Sequence, residues 1–230
     1  MQALTDWLRR LWPEPPTADA RERLRVVVGA AMGILMAGLV MRWSGVDPWL
    51  IAPMGATAVL VFAVPGSPMA QPWAVVAGNS LSALVGLACV HLFRRPELAA
   101  AVAVGSAIGL MMLLRCLHPP GGACALLCAL GAGANGWGWS FLLMPLAPNV
   151  LALAASGWLY NRLTGHPWPH HPAALPALPP DTWAGTYDIA DLDAVLADWD
   201  EVLDIDREDL DALFRALERR VQARWESARQ

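Results

Sequence analysis

The distribution of charge along the chain restricts its fold more than any other feature. No Asp, Glu, Lys or Arg occurs between Pro48 and Phe93, or between Cys116 and Asn161, and each of these runs is 46 residues long. Helices at the surface of a soluble protein alternate apolar and charged faces, whereas these stretches are apolar on every side. Charged residues make up only 16% of the chain, against about a quarter in soluble domains. The sequence therefore predicts an all-α, polytopic membrane protein.

The lengths of the uncharged runs leave two arrangements open. A helix needs about 20 apolar residues to cross the hydrocarbon core, so each 46-residue run holds more than one helix. The chain then has either four full spans with two short re-entrant helices, or six crossings. The re-entrant arrangement is favoured because it puts all the arginine clusters on one side, as the positive-inside rule requires. Either arrangement places both termini in the cytoplasm of a multi-pass protein of the inner (plasma) membrane.

A nine-residue motif occurs twice, as "APMGATAVL" from Ala52 to Leu60 and as "PPGGACALL" from Pro119 to Leu127. Similar apolar segments surround the two copies, which predicts an internal duplication with repeats at about 23–95 and 96–165. Chance similarity between membrane segments is the alternative. Because proline fits the first turn of a helix, each motif is expected to open a helix of about 14 residues, at Pro53 or Pro120.

The segment "LRCLHPPGGACALL" places polar groups inside an apolar sequence. Arg115 supplies a permanent positive charge, and His118 a hydrogen-bond donor that responds to pH. A helix that begins at Pro120 would direct free amides at a ligand, and Gly121 and Gly122 would leave those amides accessible. No acidic residue lies between positions 98 and 161 to neutralise the arginine. The segment therefore predicts an anion-binding site.

The same hypothesis extends to matching positions elsewhere in the two repeats. The further candidates are the small or polar residues of the first motif and an asparagine in each following helix: Gly55, Ala56, Thr57, Asn79 and Asn149. Intramembrane asparagine also serves to join helices. The alternative for Arg115 is a side chain at the headgroup level, with the residues after it forming only a turn.

"LHPPGGA", together with the upstream "APMGATAVLVFAVPGSPMAQPW", resembles the HPP family of integral membrane proteins from about Arg23 to Gly165. The resemblance implies four transmembrane helices and a transport function, which for some members is linked to nitrite or nitrate. It also implies a set of signature positions, which are His118, Pro119, Pro120, Gly121, Gly122, Gly55, Pro65, Ser67, Pro68 and Gln71. Cys124 and Cys128 depart from the small or hydroxylic residues expected there.

The two ends of the chain differ from its apolar middle. Residues 1–22 form either an amphipathic segment at the membrane interface or a frayed terminus. Residues 166–182 are a proline-rich linker, and 183–230 are an acidic cytoplasmic tail with two short amphipathic helices. The histidines of the linker are typical of a linker rather than of a metal site. The four cysteines lie in apolar stretches, so we expect buried free thiols and neither metal nor cofactor.

The leading hypothesis is a transporter or channel for a small inorganic anion such as nitrite or nitrate, held at helix N-termini near the HPPGG motif. The alternative is a membrane-embedded scaffold or regulatory protein that recruits a partner through its acidic tail. We do not expect an enzyme, since the sequence has neither a nucleophile–base pair nor H-E-x-x-H. The expected partners are the anion, the lipid bilayer and a second copy of the chain, and not a nucleic acid.

Overall fold

The computed structural model describes residues 20–43, 45, 50–171, 188–198 and 204–227. All the regular structure in those ranges is helical, as the sequence predicts, and it comprises α1 (Ala20–Arg42), α2 (Pro53–Ala63), α3 (Asn79–Leu92), α4 (Pro96–Leu113), α5 (Pro119–Asn135), α6 (Leu146–Leu163), α7 (Ile189–Asp198) and α8 (Arg207–Ser227). A π-helical turn (Ala74–Gly78) runs directly into α3, and 3₁₀ turns (Pro68–Ala70 and Trp139–Leu142) precede α3 and α6. Most of the predicted interfacial segment, residues 1–19, lies outside the described residues.

Four helical stretches are long and apolar enough to cross a membrane, with lengths between 18 and 25 residues: Ala20–Arg42, Ala74–Leu92, Pro96–Leu113 and Trp139–Leu163. The predicted bundle of four long spans with shorter apolar helices is thus confirmed. The two short helices are α2, with 11 residues, and α5, with 17. Proline opens both, at Pro53 as predicted and at Pro119, one position before the predicted start. At 1.5 Å per residue, α2 is only about 16 Å long.

The contacts at the ends of α2 give its direction. Leu50, just before α2, lines the same groove as Arg42 at the end of α1. At the other end of α2, the carbonyl of Phe62 accepts a hydrogen bond from Arg25, near the start of α1 (2.9 Å). Helix α2 therefore runs antiparallel to α1 and returns the chain to the end of the bundle where α1 begins. We call this end the N-terminal end, and the end that holds Arg42 the opposite end.

Helix α5 also carries the chain from one end to the other. His118, just before α5, contacts the carbonyl of Met69 in the turn that follows α2. After α5, the ring of Trp139 stacks on His91 in the last turn of α3, with 5.4 Å between ring centroids. Helices α3 and α5 are therefore parallel, and both run from the N-terminal end to the opposite end.

Given these helix directions, the chain makes six alternating passes through the bundle. The re-entrant arrangement that the sequence favoured is not observed. The turn around Ser67 lies at the N-terminal end, where Ser67 donates a hydrogen bond to Asp204 of the tail (2.5 Å). It does not lie at the end where α1 finishes, and Val46 is outside the described residues. Arg94 and Arg95 fall at the opposite end. The positive-inside rule does not by itself distinguish the two arrangements, because the N-terminal end of the bundle holds more arginine in either of them.

Small residues allow the helices to approach closely. On α3 and the π turn, Gly78, Ser82 and Gly86 face Gly121 and Ala125 of α5, and a Cβ on Gly121 would lie 2.7 Å from the hydroxyl of Ser82. In a bilayer, small residues at four-residue spacing let backbones pack without large side chains between them. A small residue also lets α1 pack closely against α6, where a Cβ on Gly29 would lie 2.6 Å from the ring of Tyr160.

The order of elements is the same in the two halves of the transmembrane part. Each half has a long helix, a shorter helix that opens with proline, a 3₁₀ turn and a second long helix. The two short helices differ in length, and within the described ranges the π turn occurs only in the first half. The internal duplication itself stays a prediction.

The start of the linker packs against the N-terminal end of the bundle. Trp168 is 4% exposed, and its indole donates a hydrogen bond to the carbonyl of Ala70 (2.9 Å). His170 contacts Asp209 of α8 (2.8 Å). Arg207 donates to Asp193 of α7 and holds the pKa of that carboxyl below its usual range. The tail helices are therefore held against the turn that follows α2, while residues 172–187 lie outside the described residues.

Candidate functional site

His118 lies at the centre of the buried polar contacts in the bundle. It is the residue before the first turn of α5, and it is fully buried. Its Nε2 atom lies 3.0 Å from the Oγ1 of Thr57 on α2, and its Nδ1 atom lies 2.8 Å from the carbonyl oxygen of Met69. One imidazole ring therefore joins α2, the turn after α2 and the start of α5.

Three further side chains complete what we call the polar cluster, defined as Thr57, Asn79, His118 and Cys124. The amide nitrogen of Asn79 lies 3.5 Å from the Thr57 hydroxyl and 2.8 Å from the carbonyl of Val75. The thiol of Cys124 donates to the Asn79 side-chain oxygen (3.1 Å). All four members are at most 1% exposed. Buried polar groups of this kind are costly unless paired, and these pair with one another.

Local backbone features bring the four residues together. Pro53 starts α2, so that Thr57 lies one turn inside that helix. The π turn from Ala74 to Gly78 precedes Asn79, and π turns of this kind are frequent at functional sites. Gly78 leaves room for the histidine, because a Cβ there would lie 2.7 Å from the Cβ of His118. Asn79 is about 8 Å along the span that begins at Ala74, so the cluster lies inside the apolar part of the bundle.

Arg115 lies outside the polar cluster, exposed at the bundle surface. It has a φ of 54°, the left-handed conformation that favours glycine. The amide of Arg115 bonds to the carbonyl of Met112, and that of Cys116 to Met111. Together these bonds form a Schellman motif that ends α4. The structure thus makes Arg115 the left-handed residue that follows the C-cap Leu114, at the N-terminal end of the bundle, which agrees with the alternative of a side chain at the headgroup level.

The start of α5 offers few free amides. Pro119 and Pro120 have no N–H, and the amide of Gly121 bonds to the carbonyl of His118 (2.8 Å). Gly121 is also covered, since a Cβ there would meet Ser82 on α3. Only at Gly122 is the space around the Cα open. The sequence hypothesis treated the two prolines as a helix-start signal and overlooked that they remove the donors it required.

The remaining candidates are dispersed. Gly55 and Ala56 are exposed on α2, whereas Thr57 is buried. Asn149 is fully buried near the start of α6, where its amide nitrogen donates to the carbonyl of Pro145 (2.9 Å). Its side-chain oxygen has no partner within the described part of the chain. Of the ten predicted residues, the structure joins Thr57, Asn79 and His118 in one hydrogen-bonded group.

Two features of the buried polar structure were missed from the sequence. Cys124 is a buried free thiol, as the sequence predicts, but its contact with Asn79 was not predicted. Arg25, only 9% exposed, binds Asn161 (3.2 Å) and the Phe62 carbonyl at the end of α2. The available signal was the position of Arg25, directly before the uncharged run that begins at Val26. Among the described residues, no three His, Cys, Asp or Glu side chains are grouped to hold a metal ion.

A helical bundle of this kind, with apolar spans around a buried cluster of neutral polar groups, defines a polytopic membrane protein with a polar site in its interior. The family model for the HPP transmembrane region matches residues 15–169. The chain belongs to the HPP family.

Two proteins of Dictyostelium discoideum, both described only as transmembrane proteins, are similar to this chain. They are 35% and 34% identical to it over 154 residues, which is 64% of this chain. The chain spans about half the length of these curated relatives, since the matched part covers 54% of one and 50% of the other. No solved structure matches the chain.

Proposed function

We propose that this protein is a transporter or channel for a small inorganic anion of the nitrite or nitrate type. The observation that carries the proposal is the polar cluster, in which four buried side chains from α2, α3 and α5 meet inside an apolar bundle. Intramembrane polar residues are expensive and commonly mark the route of a substrate. Short or interrupted helices in the two halves of a membrane protein are a frequent setting for such a site.

The chemistry of the cluster supports an anion better than a cation. Its donor groups are the amide of Asn79, the hydroxyl of Thr57 and the imidazole of His118, which are paired inside the bundle and would turn to an anion when it enters. Neither uncharged run contains a carboxylate that could bind a metal cation or sodium. An oxyanion accepts hydrogen bonds and needs no fixed positive charge when several donors converge on it. The side chains of the cluster, rather than the amides at the start of α5, would then hold the anion.

Flux into proteoliposomes tests the proposal. Purified protein is reconstituted and uptake of nitrite, nitrate, bicarbonate and chloride is measured beside protein-free liposomes. Thr57→Val removes one hydroxyl from the cluster with little change of volume. Thr164→Val is the matched control, because that hydroxyl bonds to the Tyr160 carbonyl at the end of α6, outside the cluster (2.9 Å).

We expect Thr57→Val to lower flux of the transported anion roughly tenfold, as expected for the loss of one hydrogen bond of about 1.5 kcal/mol. Thr164→Val should behave like the parent chain. If none of the four anions crosses faster than in protein-free liposomes, the proposal is wrong. Equal flux in the two variants would place the route elsewhere in the bundle.

The orientation of the protein in the membrane and the role of its tail belong to the same proposal. Both ends of the transmembrane part lie at the N-terminal end of the bundle, which carries Arg25, Arg115 and Arg162. The positive-inside rule then places that end, and the acidic tail, in the cytoplasm. The tail uses Asp204 and Asp209 to contact its own membrane part, so the structure adds no support to a scaffold that recruits partners through these residues.

A further inference from the structure

The hydrogen bonds of His118 specify where protons can lie in the polar cluster. A carbonyl oxygen only accepts hydrogen bonds. Since Nδ1 lies 2.8 Å from the carbonyl oxygen of Met69, that nitrogen carries a proton whatever the charge of the ring. Any second proton must therefore bind at Nε2, which faces the hydroxyl of Thr57 at 3.0 Å.

The hydroxyl of Thr57 can satisfy Nε2 in either protonation state. It also lies 3.2 Å from the carbonyl of Pro53, one turn earlier in α2. With a neutral ring, the hydroxyl donates its proton to Nε2. With a protonated ring, Nε2 donates to the hydroxyl oxygen, and the hydroxyl turns its proton to the Pro53 carbonyl. The switch needs only rotation about one C–O bond, so His118 can gain or lose a proton without losing a partner.

The surroundings of His118 provide no charge to balance such a proton. The ring contacts Thr57 from α2 and the carbonyl of Met69. Gly78 of the α3 span packs against the Cβ of His118, beside the carbonyl of Cys116, and Asn79 bonds to Thr57. The titratable groups nearby are the thiols of Cys116 and Cys124. Within the part of the chain that the structure describes, no carboxylate or guanidinium contacts the imidazole. Asp204, His170 and Asp209 lie beyond the turn, on the tail side.

We propose that His118 binds the proton that drives this protein, and that the proton and a monovalent anion occupy the polar cluster together. A buried cation without a counter-charge is strongly unfavourable, so protonation of the ring favours entry of an anion, and the anion favours protonation. Each cycle moves one proton and one anion in the same direction. The proton comes from water on the side to which the cluster opens, and it leaves Nε2 for water on the other side. The inference rests on the proposed anion transport and adds its coupling ion.

Three measurable properties follow from this mechanism. Anion uptake should acidify the liposome interior, one proton for each anion, which an entrapped pH dye reports. Since the pair is electroneutral, clamping the membrane potential with potassium and valinomycin should leave uptake unchanged. Above the titration midpoint, uptake should fall roughly tenfold for each unit by which the external pH rises, because the protonated fraction falls by that factor.

His118→Gln removes the titrating group while keeping a polar side chain. We expect its uptake to lose the pH dependence and the accompanying acidification. Replacement of His91 by Gln is the matched control, because His91 is exposed at the opposite end of α3. It should keep the parent pH profile. The coupling is refuted if the parent protein moves anions without protons, or if the His118→Gln variant keeps the parent pH profile. Neither result would contradict the proposed anion transport.

Nuclear magnetic resonance of ¹⁵N-labelled histidine gives a readout that does not depend on transport. The signals of His118 are assigned by their loss in His118→Gln. At high pH they should show the tautomer with the proton on Nδ1, and added nitrite should raise the pH at which Nε2 becomes protonated, by the reciprocity of linked binding. A midpoint that added anion does not move refutes the linkage. Absence of any anion flux refutes the proposed function and the coupling together, while the tautomer would still be visible.

Discussion

Replacement of Arg115 by glycine separates the conformation of this residue from its charge. Arg115 has a φ of 54° directly after the C-cap of α4, Leu114. A non-glycine residue in this conformation costs about 1–2 kcal/mol. Glycine removes that cost but loses about 0.5–1 kcal/mol through the greater freedom of the unfolded chain. Arg115→Gly should therefore stabilise the folded protein by about 0.5–1 kcal/mol.

The assay is thermal unfolding in a mild detergent, followed by the fluorescence of the 12 tryptophans. For a chain of this size, 1 kcal/mol corresponds to a change in Tm of about 2–4 °C, so we expect Arg115→Gly to unfold about 1–4 °C higher. Arg115→Ala is the control, because alanine removes the charge but keeps a Cβ in the left-handed conformation. It should give no increase in Tm.

The same pair of variants tests the sequence hypothesis that Arg115 binds the anion. Because the side chain is exposed, and separate from the polar cluster, both variants should transport at the parent rate. Equal Tm values for the glycine and alanine variants would refute the conformational argument. A tenfold or larger loss of flux in both variants would return Arg115 to the anion site.

Three further predictions concern packing, the tail and topology. Gly86→Val should destabilise the protein by at least about 1–3 kcal/mol in the same unfolding assay, because a Cβ there would overlap the carbonyl oxygen of Ala125. Gly122→Val should not destabilise it in this way, because the space around Gly122 is open. Equal effects would contradict the described α3–α5 contact. A chain cut after His171 keeps Trp168 and should retain its flux per folded molecule; complete loss of flux would make the tail part of the mechanism. Cysteines at Val64 and Arg94, in a cysteine-free background, should react with an impermeant reagent from opposite sides, and reaction from one side would restore the re-entrant arrangement.

The spans and helix starts could be predicted because each depends on local sequence. Charge-free runs of sufficient length identify spans irrespective of how the helices pack. Proline marks both helix starts, at Pro53 and, one position before the predicted Pro120, at Pro119, because the first turn of a helix needs no amide donor. The direction of α2 could not be obtained in this way. It depends on which end of α1 meets Phe62, and that contact joins residues 37 positions apart.

The polar cluster was only partly predictable for the same reason. Thr57 and His118 were both candidates, but they are 61 positions apart, and only the packing of α2 against α5 makes them partners. Cys124 gave no signal because a thiol in an apolar helix is most often a small packing residue. Arg115 was misplaced because its left-handed conformation follows from the Schellman motif at the end of α4, which no residue type in "LLRC" indicates.

A cation inside an apolar bundle is costly unless it is paired, and the arginine in that position is Arg25 rather than Arg115. Arg25 is 9% exposed, and its Nε donates to Glu22 (2.9 Å), which neutralises its charge. Its remaining donors bind the Phe62 carbonyl and the side chain of Asn161, which in turn donates to the Val61 carbonyl (2.8 Å). The last carbonyls of a helix have no partners within that helix, so those at the end of α2 bind these internal donors. The donors of Arg25 are thus used to bind the end of α2, directly at the Phe62 carbonyl and through Asn161. An anion in the interior must rely on neutral donors, or on a positive charge that arrives with it.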